Sequence, residues 1–246
     1  MKRFLILTLL LIVAPNSATD AEMSQTGFSG KVAIKCPSKL KDITDCPDTG
    51  CGPALDPLLN KQKNIRSDTS DPELWLLSKV KALPDPVPGY RIGSDRDKLI
   101  ALGEGKKVKV MAFALVARKG SRESCNCALF AAADTDNMIV LVEPSGRPTL
   151  MNDEAKGVSA EITPRVRLDH PGLTQAKLQP LIISAPNQTL LVRVTGLLLF
   201  DSEHSFGRGL RRKTNWEIHP VFRLEYCPNG RKCLATSDAN WIDLDK

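Results

Sequence analysis

The segment TNWEIHPVFRLEY, residues 214–226, alternates apolar and polar residues over most of its length. Successive side chains of a β-strand point to opposite faces, so this pattern predicts a strand with one apolar and one charged face. A strand that closes a small barrel places every second residue in the interior. We therefore expect one set to fill a core: Trp216, Ile218, Phe222, Leu224 and Tyr226. The other set should face outward: Glu217, His219, Arg223 and Glu225.

Four further runs between residue 106 and this segment have the same period of two. They cover residues 107–119, 137–144, 158–166 and 189–200, and Gly196 in the last of them predicts a bulge. Residues 172–182 have a helical apolar spacing and lie between the third and fourth runs. Three strands, a helix and two strands is the order of the OB-fold. The sequence predicts a mainly β protein with a five-stranded OB-like barrel and one helix between strands three and four.

The first residues, MKR followed by FLILTLLLIVA, resemble a cleavable export signal. The apolar run is shorter than the roughly 20 residues that span a bilayer. Small residues at Thr19 and Ala21 predict cleavage after Ala21; cleavage after Ala18 and an uncleaved anchor are the alternatives. We expect an exported, periplasmic or extracellular protein without a membrane span after cleavage of residues 1–21.

Composition and residue spacing divide the rest of the chain into four segments. Residues 22–69 are rich in Lys, Asp, Pro, Gly and Cys and predict a loop-rich segment held by disulfides. Residues 70–105 predict two short helices and a linker: the first starts with Asp71 as N-cap and Pro72, and the second runs from Ser94 as N-cap to Gly103. The barrel should cover residues 106–228, and residues 229–246 form a C-terminal tail.

Seven cysteines remain after signal removal, and in an oxidising compartment they are expected to form disulfides with one left over. Cys227 and Cys233 flank PNGRK, whose Pro-Asn-Gly favours a turn, so we predict that they pair. Either Cys125 or Cys127 should reach the N-terminal cysteines. A second bridge is expected within that N-terminal trio: Cys36, Cys46 and Cys51. A zinc site is the alternative, although the spacings C-x4-C and C-x-C differ from the common C-x2-C knuckle.

The residues that could support chemistry cluster in the barrel region. Glu217 and His219 lie on one face of the last strand and are candidates for catalysis. Imidazoles and carboxylates at one barrel rim could bind a divalent metal ion, which could activate water toward a phosphodiester. The candidate metal ligands are Asp134, Asp136, His204 and His219. The alternative is that these side chains are ordinary polar surface residues. No motif predicts a cofactor, and a divalent metal ion is the only one for which candidate residues exist.

Basic residues suggest a binding surface instead. Signal removal takes away Lys2, Arg3 and Asp20, so the net charge falls from +6 to +5. OB-folds bind oligonucleotides or oligosaccharides through strands two and three and adjoining loops. The candidate ligand-binding residues are Lys109, Arg165, Arg193, Arg211, Arg212 and Lys213. A solvated basic loop is the alternative, and the 12 aromatic residues, most of them core candidates, weaken the interpretation as a nucleic-acid-binding protein.

Several motifs resemble an uncharacterised family of exported bacterial proteins: ESCNC, DTDNMIVLV, EITPRVR, VRVTGLLLF and TNWEIHPV. The resemblance covers residues 100–226, and CPDTGCG with LNKQKN resembles an accompanying N-terminal part. It implies export and a barrel, and the family pattern has histidine where this chain has Met138. We expect a non-catalytic exported protein that binds an anionic or polymeric ligand, either nucleic acid, glycan or protein. The alternative is a metal-assisted phosphodiesterase or nuclease.

Overall fold

The computed structural model describes residues 34–52, 56–84, 96–143, 153–203 and 212–246. The expected signal peptide lies outside these ranges. The described strands are β1 (Glu73–Leu76), β2 (Lys107–Lys119), β3 (Asn137–Val142), β4 (Val158–Ile162), β5 (Leu190–Phe200), β6 (Trp216–Tyr226) and β7 (Ile242–Asp243). The described α-helices are α1 (Pro57–Lys63), α2 (Leu77–Lys81), α3 (Asp97–Leu102), α4 (Pro164–Asp169) and α5 (Gln175–Ser184).

Strands β2 to β6 form a closed five-stranded barrel. The order around the barrel is β2, β3, β4, β6 and β5, and an antiparallel pairing of β5 with β2 closes it. The pairing of β4 with β6 is parallel, while the other four are antiparallel. The mainly β, OB-like fold class is therefore confirmed.

Alternating side chains from the barrel strands form one apolar core. Val108, Val110 and Ala112 of β2 are fully buried in it. The ring of Trp216 packs edge-on against Phe200 with centroids 5.4 Å apart. Helix α5 packs on β2 and adds Leu178 and Ile182 to the same core. The polar site lies on the outer face of the strands that enclose this core.

The expected apolar face of β6 is confirmed. Trp216, Ile218 and Leu224 are fully buried in the core, and Phe222 and Tyr226 are partly buried and pack against it, while Val221 joins the core in addition. The β5–β6 register shifts on both sides of Gly196, which confirms the expected bulge. A Cβ on Gly196 would lie 2.4 Å from the carbonyl oxygen of Pro220. This register shift accompanies the entry of Val221 into the core.

Two of the expected elements were wrong in detail. Residues 73–76 form strand β1, and the helix begins only at Leu77, because β1 pairs in parallel with the edge of β2 over residues 108–111. The third strand ends at Ile162 rather than at residue 166. There, the Thr163 side chain caps helix α4 and Pro164 takes its first position. Two helices, α4 and α5, therefore connect β4 and β5.

The second expected helix is present as α3 and ends at Gly103, which has a φ of 119°. Its expected N-cap, Ser94, lies outside the described residues. The C-terminal tail also has a defined position, because β7 pairs with β6 and Leu244 is fully buried in the core. Within the described ranges, no helix combines the length and apolar character of a membrane span.

Three disulfides confirm the expected cysteine pattern. Cys227 pairs with Cys233, and Cys36 pairs with Cys51 within the N-terminal trio. The remaining member of the trio, Cys46, pairs with Cys127 across 81 residues of sequence. Cys125 is the one free cysteine, and it is buried. The N-terminal segment is thus covalently joined to the loop that precedes β3.

Candidate metal centre

The N-terminal segment covers the charged face of β6. Helix α1 contacts both β6 and the short 3-10 turn Ser124–Asn126. Asp56 caps α1 by accepting from the backbone of Leu58 and Leu59. Farther along the helix, the Asn64 amide donates to the carbonyl of Cys125 at 3.0 Å. This cover explains why the first charged pair of β6 faces away from the barrel core, as expected, and is nevertheless buried.

Glu217 and His219 have no exposed surface. The Nδ1 atom of His219 lies 2.9 Å from Oε1 of Glu217 and 3.7 Å from Oε2 of Glu161 on β4. An ionised carboxylate can only accept, so Nδ1 donates to Glu217, and in the neutral imidazole Nε2 then presents its lone pair. That Nε2 atom is buried and has no hydrogen-bond partner among the described residues. The imidazole is held in the tautomer that ligates metal ions.

Asp136 lies beside this histidine, just before β3. Its Oδ1 atom accepts from the Asn126 amide at 3.1 Å, while Oδ2 is buried without a partner in the described part of the chain. One ligand atom each from Asp136, Glu161 and His219 lie within 4.8 Å of one another. All three residues are buried. Two carboxylates and one imidazole at this spacing form a set that could bind one divalent ion.

A second group adjoins the first and shares Asp136 with it. Ligand atoms of Glu123, Cys125 and Asp136 also lie within 4.8 Å of one another. Lys63 of α1, whose side chain is 1 % exposed, places Nζ 3.0 Å from Oε2 of Glu123. The thiol of Cys125 donates to the same oxygen at 3.4 Å. Lys63 is thus an internal counter-ion for Glu123.

Arg212 neutralises the other side of the cluster. Its guanidinium donates to Glu217 at 2.6 Å and to Asp201 at 2.9 Å. It therefore fixes the Glu217 carboxylate while the other oxygen of that carboxylate orients His219. Carboxylates that orient a ligating histidine in this way are common around protein metal ions.

The cluster carries more negative than positive side chains. The described cations that pair with its carboxylates are Lys63 and Arg212. Arg165 pairs with Asp48, and Arg167 donates to main-chain carbonyl groups. The five carboxylates are those of Glu123, Asp136, Glu161, Asp201 and Glu217. These carboxylates outnumber the described cations that pair with them, and buried negative charge is costly unless protons, cations or hydrogen bonds compensate it.

The pKa values of the cluster show the same imbalance. Burial, together with Glu123, raises the pKa of Asp136 to about 6. Burial and the neighbouring Glu217 raise the pKa of Glu161 well above its ordinary value. For Lys63, burial acts to lower the pKa, but Asp201 and Glu123 outweigh it and raise the pKa. The protonated form is therefore favoured for Asp136 and Glu161, whereas for Glu123 the Lys63 ammonium outweighs burial and lowers the pKa.

We expect the metal-free protein to lose stability as pH rises from about 4 to about 6. The pKa of Asp136 is raised on folding, so its contribution is complete below the unfolded value of 3.8 and is lost as pH passes about 6. A shift of this size corresponds to at most about 3 kcal/mol. Urea unfolding with a chelator present, repeated at several pH values across this range, measures the change. The groups that act on Asp136 are Glu123, His219, Lys63, Glu161, Cys125, Arg167 and Asn126.

Asp136→Asn is the control for this pH dependence and should flatten it. Glu73 and Glu123 have lowered pKa values and add stability over part of this window, so the contribution of Asp136 is the difference between the two proteins. A difference that stays constant from pH about 4 to about 6 would contradict the raised pKa.

The structure brings together some of the expected metal ligands and catalytic candidates. Asp136, Glu217 and His219 meet in the cluster. Asp134 instead accepts from the backbone of Ile43 at 2.9 Å, which ties down the N-terminal segment. His204 lies outside the described residues. The sequence does not predict four members of the cluster, because contacts between distant parts of the chain bring them together: Lys63, Glu123, Cys125 and Glu161.

Several expected ligand-binding residues hold the fold together. Arg193 is 1 % exposed and binds Glu225 at 2.7 Å and Asp238 at 2.7 Å. Arg165 donates to the carbonyl of Cys46, and Arg212 belongs to the cluster. Lys109 is half-buried and Lys213 is exposed, while Arg211 lies outside the described residues. Internal pairing leaves these arginines less available to an anionic polymer.

Met138 lies opposite Glu161 in the β3–β4 ladder, beside the candidate centre. Comparisons with protein-family models, curated proteins and solved structures found no match. The resemblance to exported bacterial proteins therefore stays a prediction, and the function has to be argued from the site.

Proposed function

We propose that this protein is an exported binding protein for a divalent transition-metal ion. The ion is held by Asp136, Glu161 and His219 on the outer wall of the barrel. The observation that supports this most directly is the buried, partnerless Nε2 of His219, whose Nδ1 is fixed by Glu217. Three disulfides are consistent with an oxidising compartment outside the cytoplasm.

The donor set favours a transition metal over Ca²⁺ or Mg²⁺. Imidazole nitrogen suits Zn²⁺, Cu²⁺, Fe²⁺ and Ni²⁺, whereas Mg²⁺ and Ca²⁺ prefer oxygen-only sites. A divalent ion would also offset negative charge on the surrounding carboxylates. The ligand carboxyls must release their protons on binding, so the affinity should rise with pH.

Burial favours ion binding over action on a polymer. The three ligands are between 0 and 8 % exposed, so a phosphodiester chain could not approach an ion held among them without movement of the covering segment. The metal-assisted phosphodiesterase is therefore the less supported alternative. Binding of an anionic polymer has weaker support too, because Arg165, Arg193 and Arg212 already make internal contacts.

Titration of chelator-treated protein with Zn²⁺, followed by calorimetry, tests the proposal. His219→Gln should lower the affinity by at least about 100-fold, because it removes a ligand. Glu217→Gln should lower it by about 10- to 100-fold, because it removes only the group that orients the imidazole. Proton release measured in two buffers should accompany binding to the wild type.

His170→Gln is the matched control. This histidine also has a carboxylate partner, with Asp245 2.9 Å from its Nδ1 atom, but it is half exposed and lies outside both ligand groups. Its substitution should leave the Zn²⁺ affinity unchanged. Equal affinities for wild type, His170→Gln and His219→Gln would overturn the proposed centre.

A further inference from the structure

We propose that the cluster holds a second, thiolate-bound metal ion, with Asp136 as the ligand shared by the two ions. This inference rests on the proposed function and extends it. The second position is formed by Glu123, Cys125 and Asp136, and it would select a thiophilic ion such as Zn²⁺ or Cd²⁺.

The geometry of Asp136 supports a bridging role. The carboxylate belongs to both ligand groups, and its Oδ2 atom is buried and has no partner among the described residues. The neighbouring Asn126 is buried too, and its Oδ1 atom also lacks a described partner. A carboxylate that has an unpartnered buried oxygen and lies within 4.8 Å of ligand atoms of Glu123 and the free thiol is an incomplete polar site. A cation placed there would satisfy it.

The cysteine is available for this role. All seven cysteines lie in the described ranges, and six of them form the three disulfides. Cys125 is the only free thiol, and it is 1 % exposed. Its sulfur lies in the polar cluster at 3.4 Å from Glu123, rather than in an apolar core. When the ion binds, the S–H bond breaks, its proton leaves to solvent and the thiolate forms the bond to the metal.

The charge of the second position also suits a cation. The thiolate of Cys125 would add a negative charge beside Glu123 and Asp136, and a divalent ion bound there would offset it. Lys63 lies 3.0 Å from Glu123, so the second ion binds against a positive charge and should bind more weakly than the first.

Titration of the chelator-treated full-length protein with Cd²⁺ tests the inference. The wild type should bind two equivalents, and the weaker one should produce thiolate-to-metal charge-transfer absorption. Cys125→Ser should bind one equivalent without that absorption, at the affinity of the stronger wild-type site. His219→Gln should keep the absorption and lose the stronger equivalent.

The outcomes separate the two proposals. One equivalent without the absorption, lost in His219→Gln, overturns the second position and leaves the proposed function standing. Two equivalents that persist in Cys125→Ser also overturn it. Charge-transfer absorption with one equivalent, unchanged in His219→Gln, supports the thiolate position but overturns the proposed centre. No binding overturns both. The wild-type spectrum decides the thiolate question even if Cys125→Ser fails to fold.

Discussion

Replacement of Lys63 by methionine should destabilise the metal-free protein by about 3 to 5 kcal/mol, the usual cost of removing one partner from a buried ion pair. The Lys63 side chain is 1 % exposed and provides one of the two described cations that pair with the carboxylates of the cluster. Its loss leaves the Glu123 carboxylate, which is only 16 % exposed, without the described cation that pairs with it. Urea unfolding at neutral pH with a chelator present measures the effect.

Lys61→Met is a matched control. Lys61 lies in the last turn of the same helix, so both substitutions remove the same favourable interaction with the helix dipole. Lys61 is exposed, and its loss should change the free energy of unfolding by no more than about 0.5 kcal/mol. A similar small change for Lys63→Met would show that the ammonium does not stabilise the cluster.

The double variant Lys63→Met/Glu123→Gln separates charge from packing. If the loss in Lys63→Met comes from the unpaired carboxylate, neutralising Glu123 should recover most of it, since a buried pair replaced by neutral groups is often tolerated. Saturating Zn²⁺ should also recover part of the loss, because a bound ion stabilises the folded state and supplies positive charge. Failure of both to restore stability would point to packing as the cause.

The sequence predicts the barrel well because its strands follow a local rule. The five runs with a period of two became β2 to β6 in the expected order, since side-chain alternation is set by the strand itself. The strand at residues 73–76 could not be predicted this way. Its ELWL sequence fits a helix, and the pairing with β2 that overrides that preference is a long-range contact.

The site was predicted only in part, because alternation gives the face of a strand but not what covers that face. Glu217 and His219 were correctly placed together on one face. That this face is buried depends on α1 and the turn at Ser124–Asn126, which lie about 90 to 160 residues away in sequence. Lys63 and Glu123 looked like ordinary surface charges in the sequence. Only the tertiary contacts reveal them as parts of one cluster.

Removal of the Cys46–Cys127 disulfide should cost about 4.5 kcal/mol, since the chain-entropy model scales with the logarithm of loop length. The two cysteines are 81 residues apart in the sequence, so this bond closes the longest of the three disulfide loops. The Cys46→Ala/Cys127→Ala variant should therefore unfold at much lower urea concentration than the wild type. It should also bind Zn²⁺ more weakly, because the disulfide fixes the N-terminal segment against the turn that precedes Asp136.

The Cys227→Ala/Cys233→Ala variant also removes one disulfide, but its two cysteines are only 6 residues apart in the sequence. The same model gives it a loss of about 2.2 kcal/mol. This disulfide lies outside both ligand groups, so its removal should leave the Zn²⁺ affinity intact. Equal losses of stability and affinity in the two variants would contradict the distinction. The hydrogen bonds of Asn64 and Asp134 would then suffice to hold the covering segment, and Cys46–Cys127 would not position the metal centre.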